Sequence, residues 1–379
     1  MPVVEGECSS MKITDVTVTL FAWDTMPIVG YHGVKRSASD VHDQGLVTIH
    51  TDEGLEGHAF LGKGLSPASS DAALLVKYLK PLLVGQDPLD RELLHEKIWK
   101  RKVVSSIRTI GAVDVALWDL AGKIAGLPIY KLLGGYRTSI PAYVSSDHLP
   151  SPQHYADEAV KYKEMGYIAY KIHPPENWRD DIKVCEAVRR AVGDDYMLML
   201  DSTFSYQFEE ALRVGRAIEE MNYYWYEDPL GDHDIYNYQK LKQKLDIPIM
   251  ATERPEAGLE AYPQWIMSQA TDFLRGDVLI KGGITNVMKT AHLAEAFRMK
   301  YEVHTGGNSL ANLANLHIEM SIRNTQFHEL LLPLEAMNYG VVNEITVDKN
   351  GLIHAPTGPG LGAEIDFAMI ERKKIAVLK

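Results

Sequence analysis

From residue 139 to residue 331, short apolar runs alternate with longer amphipathic stretches. The apolar runs fall at 139–146, 169–173, 196–201, 223–227, 247–253, 272–277, 301–304 and 325–331. Each is short, apolar and bounded by turn residues, so each predicts a strand. The intervening stretches carry helix signals, such as Ser151-Pro152 at the N-cap and first helical positions. Parallel strands need connections of about a dozen residues or more, usually helical. Eight strands and seven helices over about 200 residues therefore predict a barrel of the TIM type. A doubly wound sheet would carry fewer strands and a Gly-rich phosphate turn, and no such turn occurs. Residues 339–362, rich in Gly and Pro, take the place of an eighth helix. The expected fold class is α/β, a modified (β/α)7β barrel.

The first part of the chain follows another pattern. Val16, Val18 and Leu20 alternate with Thr17 and Thr19, as in a half-buried strand. The segment GLVTIHTDEGLEGHAF reads as a hairpin turning at Asp52-Glu53-Gly54. Helical stretches follow around 69–82 and 90–101, and a clearer one at 109–125. In that last helix Val113, Leu117, Leu120, Ala121 and Ile124 share a face, and Gly126 and Pro128 end it. Strands followed by helices, rather than alternating with them, predict a separate α+β capping domain. The expected organisation is a cap over 11–135, the barrel over 136–340, and a C-terminal segment, 341–379, returning to the cap. The ten residues before Met11 read as a loose leader.

Composition narrows the function more than the fold. With 46% hydrophobic and 24% charged residues, the chain is an ordinary globular protein. A formal charge of −12 argues against nucleic acid or an anionic membrane as partner. A small anionic substrate is compatible with that charge if a metal or local Lys/Arg reverses the field in the cleft. Cys8 and Cys185 are the only cysteines, which excludes a disulfide framework and fits a reducing cytoplasm. No apolar run approaches the roughly 18 residues of a membrane-spanning helix, and no signal-peptide core is seen.

The ends of the predicted strands carry the chemistry. Asp201, Glu227 and Glu253 lie 26 residues apart, closing the runs YMLMLD, YYWYED and IPIMATE. That period is about one strand–helix unit, so the three carboxylates sit at the same end of consecutive parallel strands. With no basic neighbour in these runs, they require a cation among them. An all-oxygen donor set suits Mg²⁺, and Mn²⁺ would be a substitute. Lys171 and His173 stand two apart on one strand and so face the same way. A cationic lysine there is expected to lower the imidazole pKa and leave His173 neutral, able to take a proton. Asp277 and His304 end neighbouring strands and form a candidate acid/base dyad. Glu329, on the last strand, is expected to act as a protonated carboxyl that donates to developing negative charge. His328 faces the other way and reads as structural.

These residues, with AVDVALWDLAGKIAGLPIYKLLGG, YWYEDPL and GDVLIKGGIT, resemble the enolase superfamily, and within it the mandelate racemase subgroup. The resemblance runs from residue 11 to about 370. It implies that Asp201, Glu227 and Glu253 hold Mg²⁺ and that a base removes the α-proton of a bound carboxylate. Lys171 and Glu329 would then help stabilise the enediolate. Two departures stand out: Lys171-Ile172-His173 replaces the family's Lys-x-Lys, and Thr203 stands where Asn is common. The resemblance further implies an acid-sugar substrate, dehydrated to a 2-keto-3-deoxy acid, and a homo-oligomer, dimer or octamer. Racemisation or epimerisation is the alternative reaction. A barrel that kept its fold and lost its chemistry is the alternative of a different class. Substrate selection is expected in the cap loop 24–40, through Tyr31, His32, Lys35 and Arg36.

Overall fold

The structure, a computed structural model, describes residues 11–25, 42–63, 66–254 and 258–379. In the cap, β1 (Ile13–Ala22), β2 (Asp43–Thr51) and β3 (Glu56–Leu61) form an antiparallel sheet. The hairpin between β2 and β3 turns where the sequence places it. The helix Ile107–Ala125 packs on this sheet through its apolar face and ends at Gly126, whose φ of 66° is left-handed. The stretch read as one helix over 69–82 is three pieces, with a π-helical turn, Leu75–Leu79, between Ser69–Leu74 and Lys80–Leu83. Pro81 lacks the N–H that an unbroken α-helical ladder would need there.

The barrel contains eight parallel strands: β4 (Ser139–Ser145), β5 (Ala169–Ile172), β6 (Met197–Asp201), β7 (Trp225–Glu227), β8 (Ile249–Ala251), β9 (Phe273–Gly276), β10 (Lys300–Val303) and β11 (His328–Leu331). From β4 to β10 each pairs with its neighbour in chain order, and β11 returns to pair with β4. The wall is open as a ladder between β10 and β11. There Tyr301 N donates to Asn324 O at 2.9 Å, and the Glu302 carboxylate accepts from Thr325 Oγ1 and Gln326 N at 3.1 Å. Among the described residues seven helices cross between the strands, and after β11 come the short turn Leu334–Met337 and, near the end of the chain, the short helix Phe367–Arg372. Ser151 does stand at the N-cap of Pro152–Glu164, but its hydroxyl meets His154 Nδ1 rather than a backbone N–H. The tail touches both units: β12 (Leu352–His354) runs antiparallel to β4, and β13 (Lys374–Leu378) runs antiparallel to β1.

Inside the barrel, Tyr143, Ala169, Met199, Trp225, Met250 and Phe327 form a buried floor, with Phe273 against it. Because side chains alternate along a strand, the residue two places on from each floor residue also faces inward. Those residues include Ser145, Lys171, Asp201, Glu227, Arg275 and Glu329. An apolar floor thus lies under a polar layer at the carboxyl ends of the strands.

The cap is braced on the loop that carries Asp277. A Cβ at Gly111 would lie 2.2 Å from the Val278 carbonyl oxygen, so only glycine lets the cap helix approach this closely. One turn on, Asp114 accepts from Thr285 N at 3.0 Å and from Thr285 Oγ1 at 2.6 Å, at the start of the helix Ile284–Ala296. Among the described residues no helix is long and apolar enough to cross a membrane. Cys185 is buried with a free thiol, and Cys8 lies outside the described residues.

Gly111→Ala is expected to lower stability by roughly 1–3 kcal/mol through overpacking, read as the urea midpoint; an unchanged midpoint would contradict the close approach. A second test uses His317, buried on the helix Ser309–Ser321, which accepts from Tyr130 N and bonds Leu361 O, both at 3.1 Å. Burial pulls its pKa down from 6.5 to about 4. The unfolded chain therefore takes up this proton first as pH falls. The contribution is complete above pH 6.5 and is lost progressively down to pH 4, by at most about 3 kcal/mol. His317→Gln should flatten the fall in stability over that window relative to the wild type, and an identical slope would refute the assignment.

Candidate active site

Asp201 ends β6 and Glu227 ends β7 directly beside it, while Glu253 follows β8 by two residues. One oxygen from each lies within 4.8 Å of the others. The donor set is entirely carboxylate oxygen, and the residues fit a hard divalent cation. Strain marks the same rim. Among the described residues, five of the eight non-glycine residues with positive φ follow consecutive barrel strands: Glu176, Thr203, Phe204, Asp228 and Thr252. For a β-branched threonine a φ of 49° or 84° is costly, and such strain persists where surrounding contacts enforce it. At Thr203 the reward is local: its N–H donates to Asp201 Oδ1 at 2.9 Å. Asn tolerates this backbone better, a physical reason for its frequency at this position in the resemblance.

The carboxylates do have basic neighbours, contrary to the sequence expectation. Lys171, wholly buried on β5, places Nζ 2.7 Å from Glu329 Oε1, 2.9 Å from Glu227 Oε2 and 3.3 Å from Asp201 Oδ2. Its three donors are thereby matched by three carboxylates. Arg275, on β9 and equally buried, lies between Glu227 and Glu329 and forms ion pairs with both. Trp225 Nε1 donates to Glu227 Oε2 at 3.2 Å.

Two protonation expectations change as a result. Burial disfavours the charged form of Glu329, but Arg275 and Lys171 outweigh it and hold the carboxyl well below its usual range. Glu329 is an ionised acceptor, not a protonated donor. His173 was expected to be neutral because of Lys171. Burial does disfavour its cation, yet the Asp201 carboxylate at 3.0 Å from Nε2 prevails and raises the pKa. Its Nδ1 lies 2.6 Å from the Ser146 carbonyl oxygen, so both ring nitrogens face acceptors. Burial also raises Glu227, against the pull of Arg275, to about 7.

The other histidine is placed differently. His304 follows β10, and its Nδ1 is hydrogen-bonded to Asp277 Oδ2. Nε2 is 3.8 Å from Glu253 Oε1, and the His304 side chain is more exposed than that of His173. Burial opposes the imidazolium, but Glu253 and Asp277 raise the pKa. His328 pairs with Glu319 at 2.7 Å in the wall behind the site, away from the ion cluster. Tyr31, His32, Lys35 and Arg36 fall outside the described residues.

Residues 154–369 match the enolase C-terminal domain-like family, and residues 15–134 match the mandelate racemase / muconate lactonizing enzyme N-terminal domain. The chain belongs to the mandelate racemase subgroup of the enolase superfamily. Among curated members it is 30% identical to arabinonate dehydratase from Saccharolobus solfataricus, over 86% of this chain and 89% of that one. It is 29% identical to N-succinyl-L-Arg/Lys racemase from Bacillus cereus, over 85% and 87%. The solved structure of D-glucarate dehydratase from Agrobacterium tumefaciens complexed with magnesium superposes with a TM-score of 0.88 and 35% identity, covering 97% and 100% of the two chains.

Against this enolase-superfamily frame, two buried residues went unread in the sequence. Arg275 interrupts an otherwise apolar strand, FLRG, and its place two residues after Phe273 is the signal that would have found it. Asp228, next to Glu227, is buried with no hydrogen-bond partner on either carboxyl oxygen. Burial together with Glu253 and Asp201 keeps it protonated, its pKa well above the usual range. The Glu-Asp doublet was its only trace.

Glu227→Gln is expected to weaken Mg²⁺ binding by more than the about 10–100-fold typical of changes one shell farther out. Loss of the Mg²⁺-induced rise in melting temperature would report it; an unaltered rise would exclude Glu227 as a ligand.

Proposed function

We propose that the protein is a Mg²⁺-dependent dehydratase of an acid sugar, yielding a 2-keto-3-deoxy acid. Asp201, Glu227 and Glu253 would hold the ion. A divalent cation at these residues supplies Lewis-acid stabilisation to a carboxylate losing its α-proton. The dehydratases named above support the reaction class, and the observation that carries the choice within this chain is the unequal standing of the two histidines.

His304 Nε2 is the freer imidazole nitrogen, with Asp277 fixing the ring through Nδ1. That geometry lets one group take the α-proton and then deliver it to the departing β-hydroxide. His173 is bonded through both nitrogens, to Ser146 O and Asp201. With both ring nitrogens engaged it is badly placed to take a proton. Racemisation needs a working base on each face, so the engaged state of His173 favours elimination. Lys171 and Arg275 fix Glu227 and Glu329 in orientation, and hold Glu329 ionised.

Purified protein with Mg²⁺ is expected to form a carbonyl product from one or two acid-sugar stereoisomers; deuterium entering the α-carbon in D₂O with no carbonyl product would favour epimerisation. His304→Asn should abolish both dehydration and α-proton exchange. Exchange that survives in this variant would assign proton abstraction to His173 instead.

A further inference from the structure

The guanidinium of Arg275 differs in kind from the other cations of the site. It stays protonated at any working pH, whereas lysine and histidine can shed their charge when buried. Its Nε side faces Glu227 and its Nη2 faces Glu329, and buried Nη1 has no hydrogen-bond partner. Around it stand four carboxylates, Asp201, Glu227, Glu253 and Glu329, against two cations, Lys171 and Arg275. Three of these carboxylates, Asp201, Glu227 and Glu253, are the ones that would hold one divalent ion. Adding that ion, however, sets a dication and a permanent monocation on the same buried carboxylate, Glu227. In a site this dry, like charges a few ångströms apart repel strongly.

We infer that Arg275 is a positioning residue that competes with the metal for Glu227 and so sets the affinity of the site for divalent ions. This rests on the metal reading above. Through one planar fork it also keeps Glu329 ionised and aligned with Lys171. The arrangement trades tight metal binding for a fixed orientation of Glu227 and Glu329. A merely structural arginine would have the opposite signature, because its loss would disorder Glu227 and weaken metal binding.

The test is calorimetric titration of MgCl₂ into EDTA-treated wild type, R275M and R275K. R275M removes the charge at similar volume and should bind Mg²⁺ at least about tenfold more tightly. R275K keeps the charge and should stay within about threefold of the wild type. Equal or weaker binding by R275M, alongside clear binding by the wild type, overturns the inference alone. Tightening of the same size in R275K would overturn it too, since charge would then not be the cause. A wild type that binds no Mg²⁺ removes the metal reading and this inference together. If R275M folds poorly without metal, melting curves decide: Mg²⁺ must rescue it with a larger rise in melting temperature than in the wild type. Failure of every Mg²⁺ concentration to rescue it would count against competition.

Discussion

Four carboxylates share the interior of this barrel with two cations, and the pairing between them is the constraint on which the site depends. Lys171 reaches Asp201, Glu227 and Glu329, and Arg275 reaches Glu227 and Glu329. All five are buried, so removing any one leaves an uncompensated charge, typically at a cost of about 3–5 kcal/mol. The aromatic floor of Tyr143, Trp225 and Phe327 explains why the ions sit only in the upper half of the barrel. At the carboxyl ends, loops with positive φ and the bracing cap close over the ion layer.

The strand order and the carboxylate triad were legible because both depend on local pattern. Each strand is a short apolar run, and the 26-residue spacing converts directly into neighbouring strand ends. The charge state of the site was not legible, because it depends on partners from strands remote in sequence. Arg275 lies on β9, while the groups it compensates lie on β7 and β11. Read locally, FLRG is an apolar strand with one stray cation; read in register with Phe273, it places a guanidinium at the barrel centre. The same cause reversed the expectations for Glu329 and His173. In each case a burial or neighbour argument was right in sign for one partner and lost to a stronger one, Arg275 for the first and Asp201 for the second. The split of the 69–83 helix, by contrast, followed from a single residue, Pro81, that was in plain view.

Within its subgroup the chain departs at Lys171-Ile172-His173, and the structure gives that departure a physical meaning. A second lysine would carry a point charge on a flexible stem. A histidine is planar and is held between Ser146 O and Asp201. On the proposed reading, proton transfer then falls to His304 and its partner Asp277, beside Glu253.

The most direct measurement is a crystal structure of the protein grown with Mn²⁺ as an anomalous scatterer and an unreactive acid-sugar analogue. The account predicts one anomalous peak bound by an oxygen from each of Asp201, Glu227 and Glu253, with the analogue's carboxylate on the metal and its α-carbon facing His304 Nε2. A peak elsewhere, or an analogue whose α-carbon faces His173 instead, would contradict it.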